Sequence, residues 1–138
     1  MVVLGSTGSI GTSTLDVLSR LRDRFQVVGL SAGTNFERLC EQAVEHGAEW
    51  IAIQDSPAHD LPNAHKAFPC FAADSDDVIR RVQAPDVDIV VSAVVGAAGF
   101  SCTWAALEAG KTVALANKES LVVGGPLVMD LARKHGGL

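Results

Sequence analysis

Three glycines, Gly5, Gly8 and Gly11, with hydroxyls at Thr7 and Ser9 between them, are the residues of this chain best placed to do chemistry. They follow the apolar run Val2-Val3-Leu4 and precede a helical pattern. A strand, a tight turn and a helix N-terminus, in that order, present backbone N–H groups to a phosphate. Gly5 lets the chain leave the strand sharply. Gly8 lets amides approach an anion with no Cβ in the way, and Gly11 permits close helix–strand packing. Thr7 and Ser9 add hydroxyls, and Ser9 and Ile10 supply amides at the start of the helix. The spacing is G-x-x-G-x-x-G rather than G-x-G-x-x-G, and no Lys-Ser/Thr pair closes the loop. A dinucleotide pyrophosphate therefore fits better than a P-loop triphosphate. The same residues also fit a purely structural turn with a Ser/Thr cap, so the rest of the chain must decide.

Three further polar or small-residue segments follow apolar runs. After the second run come Gly33, Thr34 and Asn35, where an NAD-specific site would carry an acid for the ribose 2′-hydroxyl. With no acid there, a 2′-phosphate meets donors instead of a clash, which favours NADP(H) over NAD(H). Asn35 also fits as the cap of the following helix. After a third run, Ser92–Gly99 is built of small residues that let a flat nicotinamide ribose pass, or that simply pack as a turn. The last run ends in Asn117-Lys118-Glu119-Ser120. Lys118 suits an anionic or carbonyl-bearing substrate, and Asn117 suits the nicotinamide or its ribose. Glu119 either fixes Lys118, bonds a ribose hydroxyl or serves a helix start. His46, His59, His65 and His135 share no metal-ligand spacing.

These segments are useful only if a scaffold brings them to one edge, and the hydrophobic periodicity supplies one. Strands are predicted at Met1–Leu4, Phe25–Ser31, Trp50–Ile53, Val87–Val91 and Thr112–Ala116. Helices are predicted at Gly8–Leu21, Phe36–His46, Asp74–Val82, Phe100–Ala109 and Glu119–Lys134. The last is expected to kink or start late at Gly124, Gly125 and Pro126. The proline-rich stretch Asp55–Ala73 reads as a loop with a short helix at Ala64–Ala67 and a brief strand at Cys70–Ala72. Alternating strands and helices imply right-handed crossovers and an α/β, doubly wound, mostly parallel Rossmann-like sheet. Ligands of such sheets lie beyond the carboxyl ends of the strands, where every segment above falls.

Composition narrows the function classes. The 138 residues are 48% hydrophobic and only 5% aromatic, which suits a single core of small aliphatic side chains. A net charge of −5 with no basic block argues against nucleic acid. Cys40, Cys70 and Cys102 form no C-x-x-C pair and read as free thiols in a reducing compartment. No apolar run reaches the roughly 20 residues of a membrane span, and no signal peptide is visible.

The motifs L-G-S-T-G-S-I-G-T-S-T-L-D-V at Leu4–Val17, A-G-T-N at Ala32–Asn35, V-G-A-A-G at Val95–Gly99 and A-G-K-T-V-A-L-A-N-K-E-S-L-V at Ala109–Val122 resemble the 1-deoxy-D-xylulose 5-phosphate reductoisomerase family. The resemblance covers essentially the whole chain. It implies NADPH-dependent conversion of a sugar phosphate, 1-deoxy-D-xylulose 5-phosphate, to 2-C-methyl-D-erythritol 4-phosphate in non-mevalonate isoprenoid biosynthesis. It would place the pyrophosphate on Thr7, Gly8, Ser9 and Ile10, and the 2′-phosphate among Gly33, Thr34 and Asn35. Asn117 and Glu119 would meet the nicotinamide half, and Lys118 the substrate. Thr34 stands where many members carry a basic residue. The family continues into an acidic motif for Mg²⁺ or Mn²⁺, a catalytic domain and a helical C-terminal domain. Residues 1–138 are accordingly expected to be the NADPH-binding domain, with no metal site and no turnover by itself. The resemblance also implies a homodimer for full-length members, in the bacterial cytoplasm or a plastid. A separated domain is expected to expose a partly apolar face and to self-associate, seen as concentration-dependent mass in light scattering, or to have a soft C-terminal helix. Other readings are the N-terminal domain of a different NAD(P)-dependent dehydrogenase, or a non-catalytic dinucleotide-binding module.

Overall fold

The computed structural model describes residues 1–54, 74–95, 98–116 and 118–135. The expected helix at 64–67, the strand at 70–72, Cys70, His59, His65 and Asn117 lie outside the described residues. Ten elements alternate along the chain. They are β1 (Val2–Leu4), α1 (Ser9–Ser19), β2 (Gly29–Ala32), α2 (Phe36–His46), β3 (Trp50–Ile53), α3 (Ser75–Val82), β4 (Ile89–Ser92), α4 (Ala98–Glu108), β5 (Thr112–Leu115) and α5 (Lys118–His135).

All five described strands are parallel, in the order β3-β2-β1-β4-β5. The chain builds outward from β1 to β3, then returns to the other side of β1 for β4 and β5. That reversal leaves a crevice beyond the carboxyl ends of β1 and β4. Pairing also sets the strand limits. β1 spans three residues, and its partners are Gly29–Ser31 on one side and Val90–Ser92 on the other. Phe25–Val28, predicted as strand, therefore lie outside β2, with the Phe25 amide returning to Leu21 O in a turn. Ser92 instead joins β4, fully buried, and accepts a hydrogen bond from Thr103 Oγ1 at 3.1 Å.

Strand alternation divides the core into two layers. Val3, Leu30, Ile51 and Val91 pack with Leu15 and Leu18 of α1 and Leu39 and Ala43 of α2. Val2, Leu4, Val90 and Val113 pack against Val78 and Val82 of α3, Ala106 and Leu107 of α4 and Val128 of α5. Not every apolar residue of the predicted helical faces goes inward. Ile10, Val17 and Val44 remain 49%, 53% and 76% exposed, because Leu15, Leu18, Leu39 and Ala43 already fill the narrow stripe facing the sheet. Gly47 ends α2 in the left-handed conformation (φ +66°), as its position after the last periodic residue predicts.

α5 is kinked at Gly124 (φ −135°, ψ 22°), just ahead of Pro126. A Cβ at Gly124 would lie 2.6 Å from the Phe100 ring, so the break also lets α5 close on α4. Ile79, Phe100, Trp104 and Leu127 line an open apolar groove between these helices, about 540 Å³ in volume. Leu121 and Val122 add further exposed apolar surface on α5. Cys40 and Cys102 are free, and burial raises both thiols above their ordinary value. No described helix is long and apolar enough to cross a membrane.

Candidate functional site

The turn after β1 is locked before any ligand is considered. Gly5 adopts φ +77°, and a Cβ there would lie 2.6 Å from Ala93 O. Ala93 N donates to Leu4 O at 2.9 Å, so the turn is braced by the chain leaving β4. On its other side, Ser6 N donates to Ser31 O at 2.8 Å and Gly5 N to Ser31 Oγ at 3.3 Å. Gly8 N closes the turn on Gly5 O at 3.2 Å. A Cβ at Gly11 would sit 2.2 Å from Gly5 O, so α1 seats its first turn directly on this backbone.

Gly8 differs from its two neighbours in the motif. Its backbone (φ −73°, ψ 171°) suits any residue, and a Cβ would find only Gly5 O, at an ordinary 3.5 Å. Among the described residues no packing contact demands glycine there; an incoming group that must reach the backbone would. Gly8 is the N-cap of α1, no side chain caps that helix, and no acid occupies its first turn. By contrast, Asn35 Oδ1 accepts from Arg38 N at 3.1 Å at the start of α2, and Asp74 Oδ1 accepts from Asp77 N at 2.8 Å at the start of α3. The expected alternative of a Ser/Thr cap is thus not what α1 uses. Ser9 and Ile10 are exposed at a helix end whose dipole favours an anion.

The cleft beside this turn has a volume of about 380 Å³. Gly5, Thr7 and Gly8 form one wall; Gly33, Thr34 and Asn35 form another, and Ala93, Val94 and Val95 a third. Gln54, just past β3, completes it and was not singled out by the sequence. No charged side chain is among these lining residues. Arg38 lines a separate cavity between α1 and α2 and pairs with Glu41 at 2.9 Å, so its side chain is not among the groups that form the cleft wall. Asn35 serves as a cap with its oxygen, which leaves its amide nitrogen as a donor.

Lys118 opens α5, exposed, beyond the carboxyl end of β5. It lies at the carboxyl-end edge of the sheet, as the cleft does, but does not line the cleft. The backbone of Glu119 follows it in the helix. Sequence reasoning also passed over Ser6, Ser31 and Gln42, which are 0%, 0% and 2% exposed. Ser6 Oγ donates to Gln42 Oε1 at 2.8 Å, and Gln42 Nε2 donates to Ser6 O at 3.0 Å. The signal was a glutamine at a position where the α2 periodicity calls for a core residue. No cluster of three or more His, Cys, Asp or Glu residues suited to a metal ion occurs among the described residues. The divalent ion implied by the family resemblance therefore has no ligand set among them.

Strand order, crevice and glycine turn together define a Rossmann-like domain of the dinucleotide-binding type. Residues 1–125 match the family described as 1-deoxy-D-xylulose 5-phosphate reductoisomerase. The chain belongs to that family. It is 46% identical over 142 residues to 1-deoxy-D-xylulose 5-phosphate reductoisomerase of Synechococcus sp. (strain ATCC 27144 / PCC 6301 / SAUG 1402/1), with 99% of this chain and 35% of that protein covered. The Geotalea uraniireducens relative of the same name is 44% identical, with 99% and 36% covered. Among solved structures, the reductoisomerase of Zymomonas mobilis in complex with NADPH superposes with a TM-score of 0.87 at 43% identity, covering 99% of this chain and 36% of that one. A DOX-P reductoisomerase in complex with NADPH, fosmidomycin and magnesium gives 0.87 at 37% identity, covering 99% and 34%. The chain thus spans about 35% of the length of such relatives.

Proposed function

We propose that this chain is the NADPH-binding domain of a reductoisomerase that converts 1-deoxy-D-xylulose 5-phosphate to 2-C-methyl-D-erythritol 4-phosphate. The observation that carries this reading is the convergence of Thr7 and Gly8, Gly33–Asn35 and Ala93–Val95 on one uncharged cleft at the strand-order reversal. The bound cofactor would supply the hydride. The amides of Thr7, Gly8, Ser9 and Ile10 would hold its pyrophosphate, and the helix dipole would favour the negative charge. Thr34 Oγ1, the Asn35 amide and the Gly33 backbone would receive the 2′-phosphate without meeting a carboxylate. Asn117 and Glu119 would orient the nicotinamide half. Lys118, at the same edge but outside the cleft, would bind the sugar phosphate. Mg²⁺ or Mn²⁺ ligands would have to come from outside the described residues, and so would full turnover. The family's homodimeric assembly belongs to the same proposal.

Titration with NADPH and NADH tests it. The described tryptophans are poor reporters, because Trp50 is buried beside Gly29 and Trp104 lies in the apolar groove. The fluorescence of the reduced nicotinamide itself is the better signal. NADPH is expected to bind at least about tenfold more tightly, roughly what one hydrogen bond to a charged group contributes. Equal affinities would remove the 2′-phosphate from the Gly33–Asn35 loop.

A further inference from the structure

We infer that Gln42 is a positioning residue for dinucleotide binding: it aims the Thr7 amide into the cleft by fixing the Ser6–Thr7 peptide plane. The inference rests on the cofactor reading above. Gln42 is the only amide among the buried polar side chains described. Its two hydrogen bonds go to one residue, accepting from Ser6 Oγ at 2.8 Å and donating to Ser6 O at 3.0 Å. The second bond is the informative one. The Ser6 carbonyl and the Thr7 N–H belong to the same planar, trans peptide unit, so they point in opposite directions. Holding that carbonyl toward α2 therefore turns the Thr7 N–H away from α2, and Thr7 lines the cleft. A hydrophobic side chain at this position would fill the same space and leave the Ser6 carbonyl with only the longer bond from Thr12 Oγ1, at 3.4 Å.

Gln42 also ties the two walls together. It lies on the helix capped by Asn35, so the loop proposed for the 2′-phosphate and the turn proposed for the pyrophosphate share one rigid support. Binding at a turn already held in place loses less ordering entropy than binding at one that must first be ordered. A glutamine with a merely structural role would affect all ligands in proportion to stability. A positioning glutamine would affect only those that use the turn.

The test compares NADPH with adenosine 2′-monophosphate, which carries the 2′-phosphate but no pyrophosphate. Gln42→Met keeps length and approximate volume. It is expected to weaken NADPH by about tenfold, the scale of one charge-assisted hydrogen bond, and adenosine 2′-monophosphate by less than about twofold. Ser6→Ala, the milder change should Gln42→Met fail to fold, keeps the carbonyl tie but frees Gln42 Oε1. It is expected to weaken NADPH by about threefold with the same selectivity. Gln83→Met is the control. It removes a glutamine-to-backbone bond of 3.2 Å to Ala105 O, far from the cleft, and should leave both affinities unchanged. Equal proportional losses for the two ligands, or an unchanged NADPH affinity in folded Gln42→Met, would overturn the positioning role. Wild-type protein that binds neither ligand would instead overturn the cofactor reading beneath it.

Discussion

Gly11→Ala is expected to destabilise the domain by about 3 kcal/mol or more, at the upper end of what overpacking costs. The added methyl would lie 2.2 Å from Gly5 O, 2.6 Å from Ser6 Cα and 2.8 Å from Ser6 C. All three are backbone atoms of the braced turn, so no rotamer change relieves the clash. α1 must lift off, and Leu15 and Leu18 must leave their contacts on the sheet with it. In a domain of this size the midpoint of thermal unfolding should fall by roughly 10 °C, as read by circular dichroism. NADPH binding should be lost too, because the N-terminus of α1 moves. A midpoint within about 2 °C of wild type would mean that the turn yields, contrary to the bracing by Ser31 and Ala93.

Gly8→Ala is expected to leave the fold intact and still weaken binding. Its Cβ meets only Gly5 O at 3.5 Å, and its backbone angles suit alanine. Replacing glycine at a compatible position restricts the unfolded chain by about 0.4–1 kcal/mol, which offsets what alanine loses against glycine at an N-cap, so stability should stay within about 1 kcal/mol of wild type. The methyl would stand between a phosphate and the amides of the turn. Losing one such bond to a charged group weakens binding by roughly tenfold, and losing two by about a hundredfold or more. Calorimetric titration with NADPH beside a thermal melt reads both quantities. Undiminished affinity in Gly8→Ala would place the pyrophosphate elsewhere. The two variants, three residues apart in one motif, thus separate the glycine the fold requires from the glycine the ligand requires.

The elements were legible because local signals agreed with the global arrangement. Leu39 and Ala43 at helical spacing, Asn35 at the cap and Gly47 at the stop gave α2 its observed limits of Phe36 and His46. The alternation of strands and helices gave the parallel sheet. The strand ends were less legible, because they depend on partners. Nothing local says that Phe25–Val28 lie outside β2; the shortness of β1 decides it. Exposure of Ile10 and Val44 was likewise hidden, since it depends on how wide a stripe the sheet can receive. The walls of the cleft were legible as glycine, hydroxyl and amide side chains placed just after strands. Its support was not. Ser31 and Gln42 look like incidental polar residues until the fold brings both onto Ser6.

The middle position of β1 also governs the order of assembly. The segment is made well before β4, yet one of its flanks stays unpaired until β4 has been made. The Leu4 carbonyl waits for the Ala93 amide, and Gly5 nests against the carbonyl of that same residue. Contacts this distant in sequence slow folding, because a long loop must close before they form. A nascent chain that ends before β4 thus carries the whole glycine motif but lacks the wall that braces it. Reading the motif from Val2 to Gly11 is easy; making it competent takes the chain as far as Ala93.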